Sequence, residues 1–322
     1  MTTSAPPFLD ADAIRAAVPI GDLLDAVEAA YRDVAEGRDR SPIRSRVPLA
    51  GGDLLLMPGV RDGGSGSSVK LVTVMPGNAE RALPTIHALI IWLDAATGRP
   101  LALLDGETVT AMRTGAASGV ATRLLARRDA TTLAVIGAGG QAGWQIRAVV
   151  AARDIRRVVV YSRSADARQE FAARMTRETG IETVAADTAE SAVREADVIC
   201  CATTSSEPVF DAAWLRPGAH VNGIGAFRAG MVELPPELFA RADVVAVDSR
   251  TAAMEEAGDL LAAIEGALLA EEDLVEIGSI GREWAKLRDP NAITVFKSVG
   301  LAIQDLAASE LIAGRLLAEE RD

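Results

Sequence analysis

The run Thr132-Leu133-Ala134-Val135-Ile136-Gly137-Ala138-Gly139-Gly140-Gln141-Ala142 decides how this 322-residue chain is read. Leu133 to Ile136 form an apolar strand, and the glycines that follow turn it into a helix beginning near Gln141. Alone, a Gly-x-Gly-x-x-Gly/Ala pattern is weak, because runs of small residues are common. Between a strand and a helix it is the turn that takes a dinucleotide phosphate. Gly137 makes the tight turn, Gly139 lets backbone approach a pyrophosphate, and Ala142 keeps helix close to sheet. Gly140 and Gln141 belong to the same cofactor turn, where amides at the helix start carry the phosphate charge.

Strand and helix alternate beyond this turn. Strands are expected at 158–161, near 184, and at 198–202, 221–224 and 244–247, with a helix at 165–177. Strands joined by helices build a parallel sheet. On the N-terminal side, Leu23, Leu24, Val27, Ala30, Tyr31 and Val34 recur at helical spacing over 21–36, and Gly37 ends the helix. Short strands at 54–57, 69–74, 89–93 and 101–104 read as an antiparallel or mixed sheet. The Gly/Ser-rich 61–68 reads as a flexible turn and Asp105-Gly106 as another. A helix at 114–127 carries Gly115, Ala116, Ala117, Ser118, Gly119 and Ala121, small enough for close approach. An extended segment at 294–298 leads into a last helix over 300–320.

Composition narrows the function. Hydrophobic residues are 49% and aromatics 4%, which suits parallel strands covered by helices. A net charge of -12, with Arg127-Arg128 and Arg156-Arg157 only as short solvated pairs, excludes a nucleic-acid partner from the expectation. The start MTTSAPPFLD lacks a secretory leader, and no run of about 18 apolar residues offers a membrane span, so a cytoplasmic protein is expected. Cys200 and Cys201 are strand neighbours pointing to opposite faces, hence buried thiols rather than a disulfide. With only His87 and His220 besides, no metal site is expected. His87 reads as a packing residue before a catalyst, and His220 as structural or beside the cofactor.

Dinucleotide choice falls at the end of the strand after the turn. Ser162-Arg163-Ser164 stands where NAD sites place Asp or Glu; a guanidinium flanked by hydroxyls clamps a 2′-phosphate. NADP(H) is therefore the expected cofactor, with NAD(H) as the alternative. Thr203, Thr204 and Ser205 follow a parallel strand at its C-terminal end, where they either line the cofactor crevice or cap the next helix.

Three basic residues sit among apolar or small neighbours: Arg44, Lys70 and Arg113. The chain has only three lysines, so a lysine inside a strand marks a position where arginine does not serve. Arginines clamp a carboxylate, while a buried lysine handles a proton beside a nitrogen. Against this stands the reading that each long side chain snorkels to solvent.

Taken in order, Met57-Pro58, Lys70-Leu71-Val72-Thr73, Leu83-Pro84-Thr85, Asp105-Gly106, Thr110-Ala111-Met112-Arg113-Thr114, the glycine turn, Pro217-Gly218-Ala219-His220-Val221-Asn222, Gly258-Asp259-Leu260 and Phe296-Lys297-Ser298-Val299-Gly300 resemble the ornithine cyclodeaminase/mu-crystallin family. The resemblance spans nearly the whole chain. It implies a homodimer of α/β class, with a Rossmann-type dinucleotide-binding domain at 116–298. Residues 1–115 and 299–322 would form an α+β substrate-binding and dimerisation domain. It assigns Arg44, Lys70 and Arg113 to substrate carboxylate and catalysis, adds Thr85 to that pocket, and places Lys297 with the cofactor.

Phe227 departs from the pattern, since cyclodeaminases and the related alanine dehydrogenase carry an aspartate there for the substrate amino group or a water. Phenylalanine neither accepts a proton nor bonds an ammonium, but it can cover a ring face. Cyclodeamination needs proton transfers at each of several stages. The expected activity is reduction of a cyclic imino acid, Δ1-pyrroline-2-carboxylate or Δ1-piperideine-2-carboxylate. The alternatives are ornithine cyclodeamination, an open-chain amino-acid dehydrogenase of alanine or N-alkyl type, and a non-catalytic NADPH-binding protein.

Overall fold

The computed structural model describes residues 5–81 and 83–317. The first residues of the expected leader-free start and residues 318–320 of the expected last helix lie outside them. The chain divides into two compact units, one of Met1–Arg113 with Leu301–Asp322, the other of Thr114–Gly300. Among the described residues no helix is long and apolar enough to cross a membrane.

The first unit opens with β1 (Phe8–Leu9), α1 (Ala11–Ala17) and α2 (Ile20–Ala35), followed by β2 (Ser45–Leu49), β3 (Gly52–Gly59), β4 (Gly66–Val74), β5 (Ile86–Asp94) and β6 (Pro100–Asp105). The six strands form one sheet in the order β1-β6-β5-β4-β3-β2, antiparallel except for the β1–β6 pair. Leu23, Leu24, Val27, Ala30 and Tyr31 of α2 are all buried, as the spacing requires, and Gly37 takes a φ of +69° just past its end. β1, α1 and β2 were not expected; β2 is exposed along its length and carries no alternating burial that a sequence could announce.

Two expected turns are corrected. Residues 66–68, read as part of a flexible turn, already belong to β4, because Gly66 packs against the Trp92 ring where a side chain has no room. Asp105-Gly106 is a helix start: the Asp105 carboxylate accepts the Thr108 amide at 2.8 Å and caps α3 (Gly106–Leu125). That helix therefore begins eight residues earlier than expected and carries Arg113 within it.

In the second unit follow β7 (Thr132–Ile136), α4 (Ala142–Ala152), β8 (Arg157–Tyr161), α5 (Ala165–Thr179), β9 (Glu182–Ala185), α6 (Ala189–Val193), β10 (Val198–Cys201) and β11 (His220–Gly223). Next come α7 (Pro236–Arg241), β12 (Val244–Val247), α8 (Arg250–Glu256), α9 (Gly258–Glu265), β13 (Leu274–Glu276), α10 (Trp284–Leu287) and β14 (Thr294–Lys297). All eight strands are parallel, in the order β13-β12-β14-β11-β10-β7-β8-β9. Leu133, Val135, Val158, Val160 and Val198 pack with Ile146, Val149, Phe171 and Met175 in one core cluster. Fully burying each such side chain contributes about 1.5–3 kcal/mol. Gly115 shows why small residues line α3: a Cβ there would meet the Trp144 carbonyl oxygen at 2.6 Å. Strand order reverses around β7, which opens a crevice at the strand C-termini between the loops after β7 and β10. Cys200 and Cys201 are buried and unbridged, and burial pushes the Cys200 thiol up to about 12 and raises the Cys201 thiol as well.

The chain returns to the first unit with α11 (Ala302–Leu316), which packs on α2, β3, β4 and β5. It begins two residues later than expected, after Gly300 at φ +83°. The architecture is the α/β class expected, with a Rossmann-type parallel sheet in one unit and an α+β arrangement in the other.

Candidate active site

Strand alternation puts Lys70 on the face of β4 that α11 covers, level with Met57 of β3 and Ile90 of β5. Its side chain is 2% exposed, and its Nζ lies 2.6 Å from Oδ2 of Asp305 on α11. The second oxygen of Asp305 takes the Arg113 Nε at 3.0 Å. Arg113 also donates to the Gln304 side-chain oxygen at 2.8 Å, and the Gln304 amide donates to the Tyr31 hydroxyl. Neither Lys70 nor Arg113 snorkels to solvent: both are buried.

Charge inside this cluster is unbalanced. Burial pulls the Lys70 ammonium down to about 7, Asp305 opposes that by attraction and a hydrogen bond, and Arg113 and Arg44 push it further down. Asp305 is held below the usual carboxylate range by Lys70 and Arg113, which together outweigh its own burial. Arg44 is half-buried ahead of β2 and acts on Lys70 through its field. The cluster is a protonatable amine beside a fixed guanidinium fork, suited to an acid group with a nitrogen next to it. Thr85 stands exposed before β5, with its carbonyl taking the Met75 amide at 2.7 Å. No hydrogen bond among the described residues joins its side chain to Lys70 or Arg113.

In the other unit the turn after β7 has the shape its sequence requires. Gly137 takes φ +111°, and a Cβ on it would meet the Ala202 carbonyl oxygen at 2.6 Å. At Gly139 and Gly140 a Cβ would meet nothing within 4 Å. Gln141 precedes the first residue of α4, Ala142, which is fully buried against the core. Open space, bare backbone and a helix N-terminus fit a dinucleotide pyrophosphate. At the end of β8 the Ser162 hydroxyl donates to the Ser164 carbonyl at 3.1 Å, and the Ser164 hydroxyl caps α5 by accepting the Ala167 amide at 3.2 Å. Arg163 is exposed, and Arg168 donates to the Ser162 carbonyl at 3.1 Å while lying over the Tyr161 ring.

Lys297 requires a correction. It is 0% exposed, paired with Asp259 and 3.9 Å from Glu233, so it has no surface to offer a dinucleotide. Its work is indirect. Glu233 accepts the Thr203 amide and hydroxyl and the Gly225 and Ala226 amides, and so ties together the loops that follow β10 and β11. Thr203 thereby lies at the crevice with its hydroxyl committed to Glu233. Ser205 donates to the Glu207 carbonyl at 2.6 Å, and Thr204 is exposed. Phe227 follows on the loop after β11, half-buried, with the Arg228 guanidinium over its ring. His220 is buried and bonded to Thr294 and Asn222, a structural residue; His87 is exposed beside Glu107.

Asp305, Gln304 and Glu233 escaped sequence reasoning, and Asp259 entered it only within a family motif. The signal for the first two was a Gln-Asp pair in the otherwise apolar Leu301-Ala302-Ile303-Gln304-Asp305-Leu306-Ala307-Ala308. Polar residues in such a run need partners when buried.

Residues 6–320 match the ornithine cyclodeaminase/mu-crystallin family. The chain is 38% identical over 313 residues to a Δ1-pyrroline-2-carboxylate reductase of Bacillus cereus, covering 96% of each. It is 34% identical over 314 residues to the ketimine reductase mu-crystallin of Mus musculus, again covering 96% of each. Among solved structures, a Thermococcus litoralis Δ1-pyrroline-2-carboxylate reductase in complex with NADH and L-proline superposes with a TM-score of 0.91 at 32% identity, covering 97% of this chain and 98% of that one. With its order of motifs, its two units and its buried basic cluster, this chain belongs to the ornithine cyclodeaminase/mu-crystallin family.

Proposed function

We propose that the protein reduces a small cyclic imino acid, Δ1-pyrroline-2-carboxylate or Δ1-piperideine-2-carboxylate, to proline or pipecolate. The observation that carries this reading is the buried Lys70–Asp305–Arg113 cluster, with a proton donor and a carboxylate fork fixed by one carboxylate. Arg113 and Arg44 hold the substrate's acid group, and the Lys70 ammonium gives its proton to the ring nitrogen. When bound, the reduced dinucleotide supplies a hydride to the carbon of the C=N bond. One proton and one hydride saturate that bond, and Lys70 regains its proton from solvent. A preformed imine needs no acid-base residue at the position of Phe227, which favours reduction over cyclodeamination.

NADPH is the dinucleotide we infer, because β8 ends in Ser162-Arg163 with no carboxylate at the strand end and Arg168 packs beneath that loop. A homodimer is inferred as well. Leu54, Leu56, Leu71, Leu89, Ile91 and Leu103 share the sheet face opposite Lys70 and are only half-buried, an apolar surface suited to a second copy. The test is NADPH oxidation with both imines, against pyruvate plus ammonia and against ornithine. Rapid turnover of an imine is expected. Ammonia release from ornithine faster than imine reduction overturns the reading, and light scattering at the monomer mass overturns the dimer.

A further inference from the structure

Lys70 is buried in a place that penalises charge, and two cations add to the penalty. Arg113 faces it from α3 and Arg44 from the segment before β2. Its neighbours across the sheet, Met57 and Ile90, are apolar. Tyr31 of α2 reaches the cluster only through Gln304. Among the described residues the one anion facing Lys70 is Asp305, itself 0% exposed and 2.6 Å away. Its other oxygen is spent on Arg113, so a single side chain sets the distance between the amine and the fork. Gln304, the preceding residue on the same helix, holds a second nitrogen of Arg113 and is braced by the Leu301 amide at 2.9 Å and by Tyr31.

We propose that Asp305 is a positioning residue for imine reduction, fixing Lys70 and Arg113 relative to each other and raising the proton affinity of Lys70. The assignment rests on the reductase reading above. Asp305 does not touch the substrate; it acts through the two groups that do. In Asp305→Asn the size is kept and the charge removed, so Lys70 is left facing Arg113 and Arg44 alone. Its proton affinity falls, and at neutral pH it stands as a neutral amine unable to protonate an imine.

The chain has three lysines, so labelling with lysine carrying 13C at Cε gives three resonances, and loss of one in Lys70→Gln assigns Lys70. In Asp305→Asn the Lys70 titration midpoint is expected to move down by at least about one pH unit. The alkaline limb of kcat/KM for imine reduction is expected to move with it, lowering kcat/KM at pH 8 by at least about tenfold. Asp305→Glu keeps the charge and carries the test should the Asn variant fail to fold. Lys70 then titrates as in the parent, while KM for the imine rises at least about fivefold because the fork is displaced. An unmoved Lys70 resonance in folded Asp305→Asn, or an unchanged KM in Asp305→Glu, overturns the proposal. A shifted resonance in a protein that turns over neither imine upholds the electrostatic role of Asp305 and overturns the reductase reading instead.

Discussion

One oxygen of the Glu233 carboxylate receives both the amide of Thr203, at 3.0 Å, and its hydroxyl, at 3.1 Å. The other oxygen receives the Gly225 amide at 2.6 Å and lies 3.9 Å from the Lys297 ammonium. Two loops at the nucleotide end of the parallel sheet thus hang on one buried acid, and that acid on one buried cation. Lys297→Met leaves Glu233 and Asp259 buried without a counter-charge. Removing one partner of a buried ion pair costs about 3–5 kcal/mol. Urea unfolding of the variant is expected to show a loss of that size, with weaker NADPH binding in the fraction that stays folded. A midpoint equal to the parent's contradicts the role given to Lys297.

Gly137 and Gly140 are glycines for different reasons, and alanine separates them. At Gly137 an alanine takes a left-handed backbone and presses on the Ala202 carbonyl, costing about 1–3 kcal/mol in strain alone. Gly137→Ala is expected to lower both thermal stability and NADPH affinity. At Gly140 the same methyl enters open space. Gly140→Ala is expected to keep its melting temperature yet bind NADPH at least about tenfold more weakly, about 1.4 kcal/mol, if that space takes phosphate. Fluorescence titration beside calorimetry distinguishes the two.

The NADPH preference proposed above is testable at the end of β8. Ser162→Asp with Arg163→Ala puts a carboxylate at the strand end, the position that holds ribose hydroxyls in NAD-selective sites, and removes the exposed cation. The ratio of kcat/KM for NADPH over NADH is expected to fall by at least about tenfold. An unchanged ratio places recognition elsewhere.

His220 gives the fold a pH dependence of definite sign. Burial and the field of Arg288 pull its imidazole from 6.5 down to about 3. Between those values the unfolded chain binds the proton that the folded one refuses, so stability falls as pH falls through this window. The slope from this residue is about 1.4 kcal/mol per pH unit. His220→Gln is expected to be less stable at pH 7 and to lose less on acidification. Parallel curves of unfolding free energy against pH for the two proteins contradict this.

The glycine turn was legible because its chemistry is local: strand, tight turn and helix lie within the eleven residues from Thr132 to Ala142. The same holds for α2, whose apolar stripe alone states which face is inside. Lys70 stood out because lysine is scarce in this chain. Its partner Asp305 lies on another element, 235 positions along by residue number, and periodicity carries no information across such a gap. Glu233 was hidden likewise, since a glutamate in Val232-Glu233-Leu234-Pro235 looks like any surface acid until Thr203 and Lys297 meet it. The family motif at Lys297 was recognised, but the cation serves a carboxylate beneath the loops. A motif fixes which residue stands at a position, whereas its role depends on what surrounds it.

The first unit is assembled from two stretches that flank the second one in sequence. A ribosome therefore completes the parallel-sheet unit while its companion still lacks α11, because residues 114–300 emerge before residue 301 does. Until that helix docks, Lys70 lacks Asp305 and the covering of β3, β4 and β5 is missing. Order of synthesis thus delays the amine's counter-ion to the last steps of maturation, well after the glycine turn of the parallel-sheet unit has emerged.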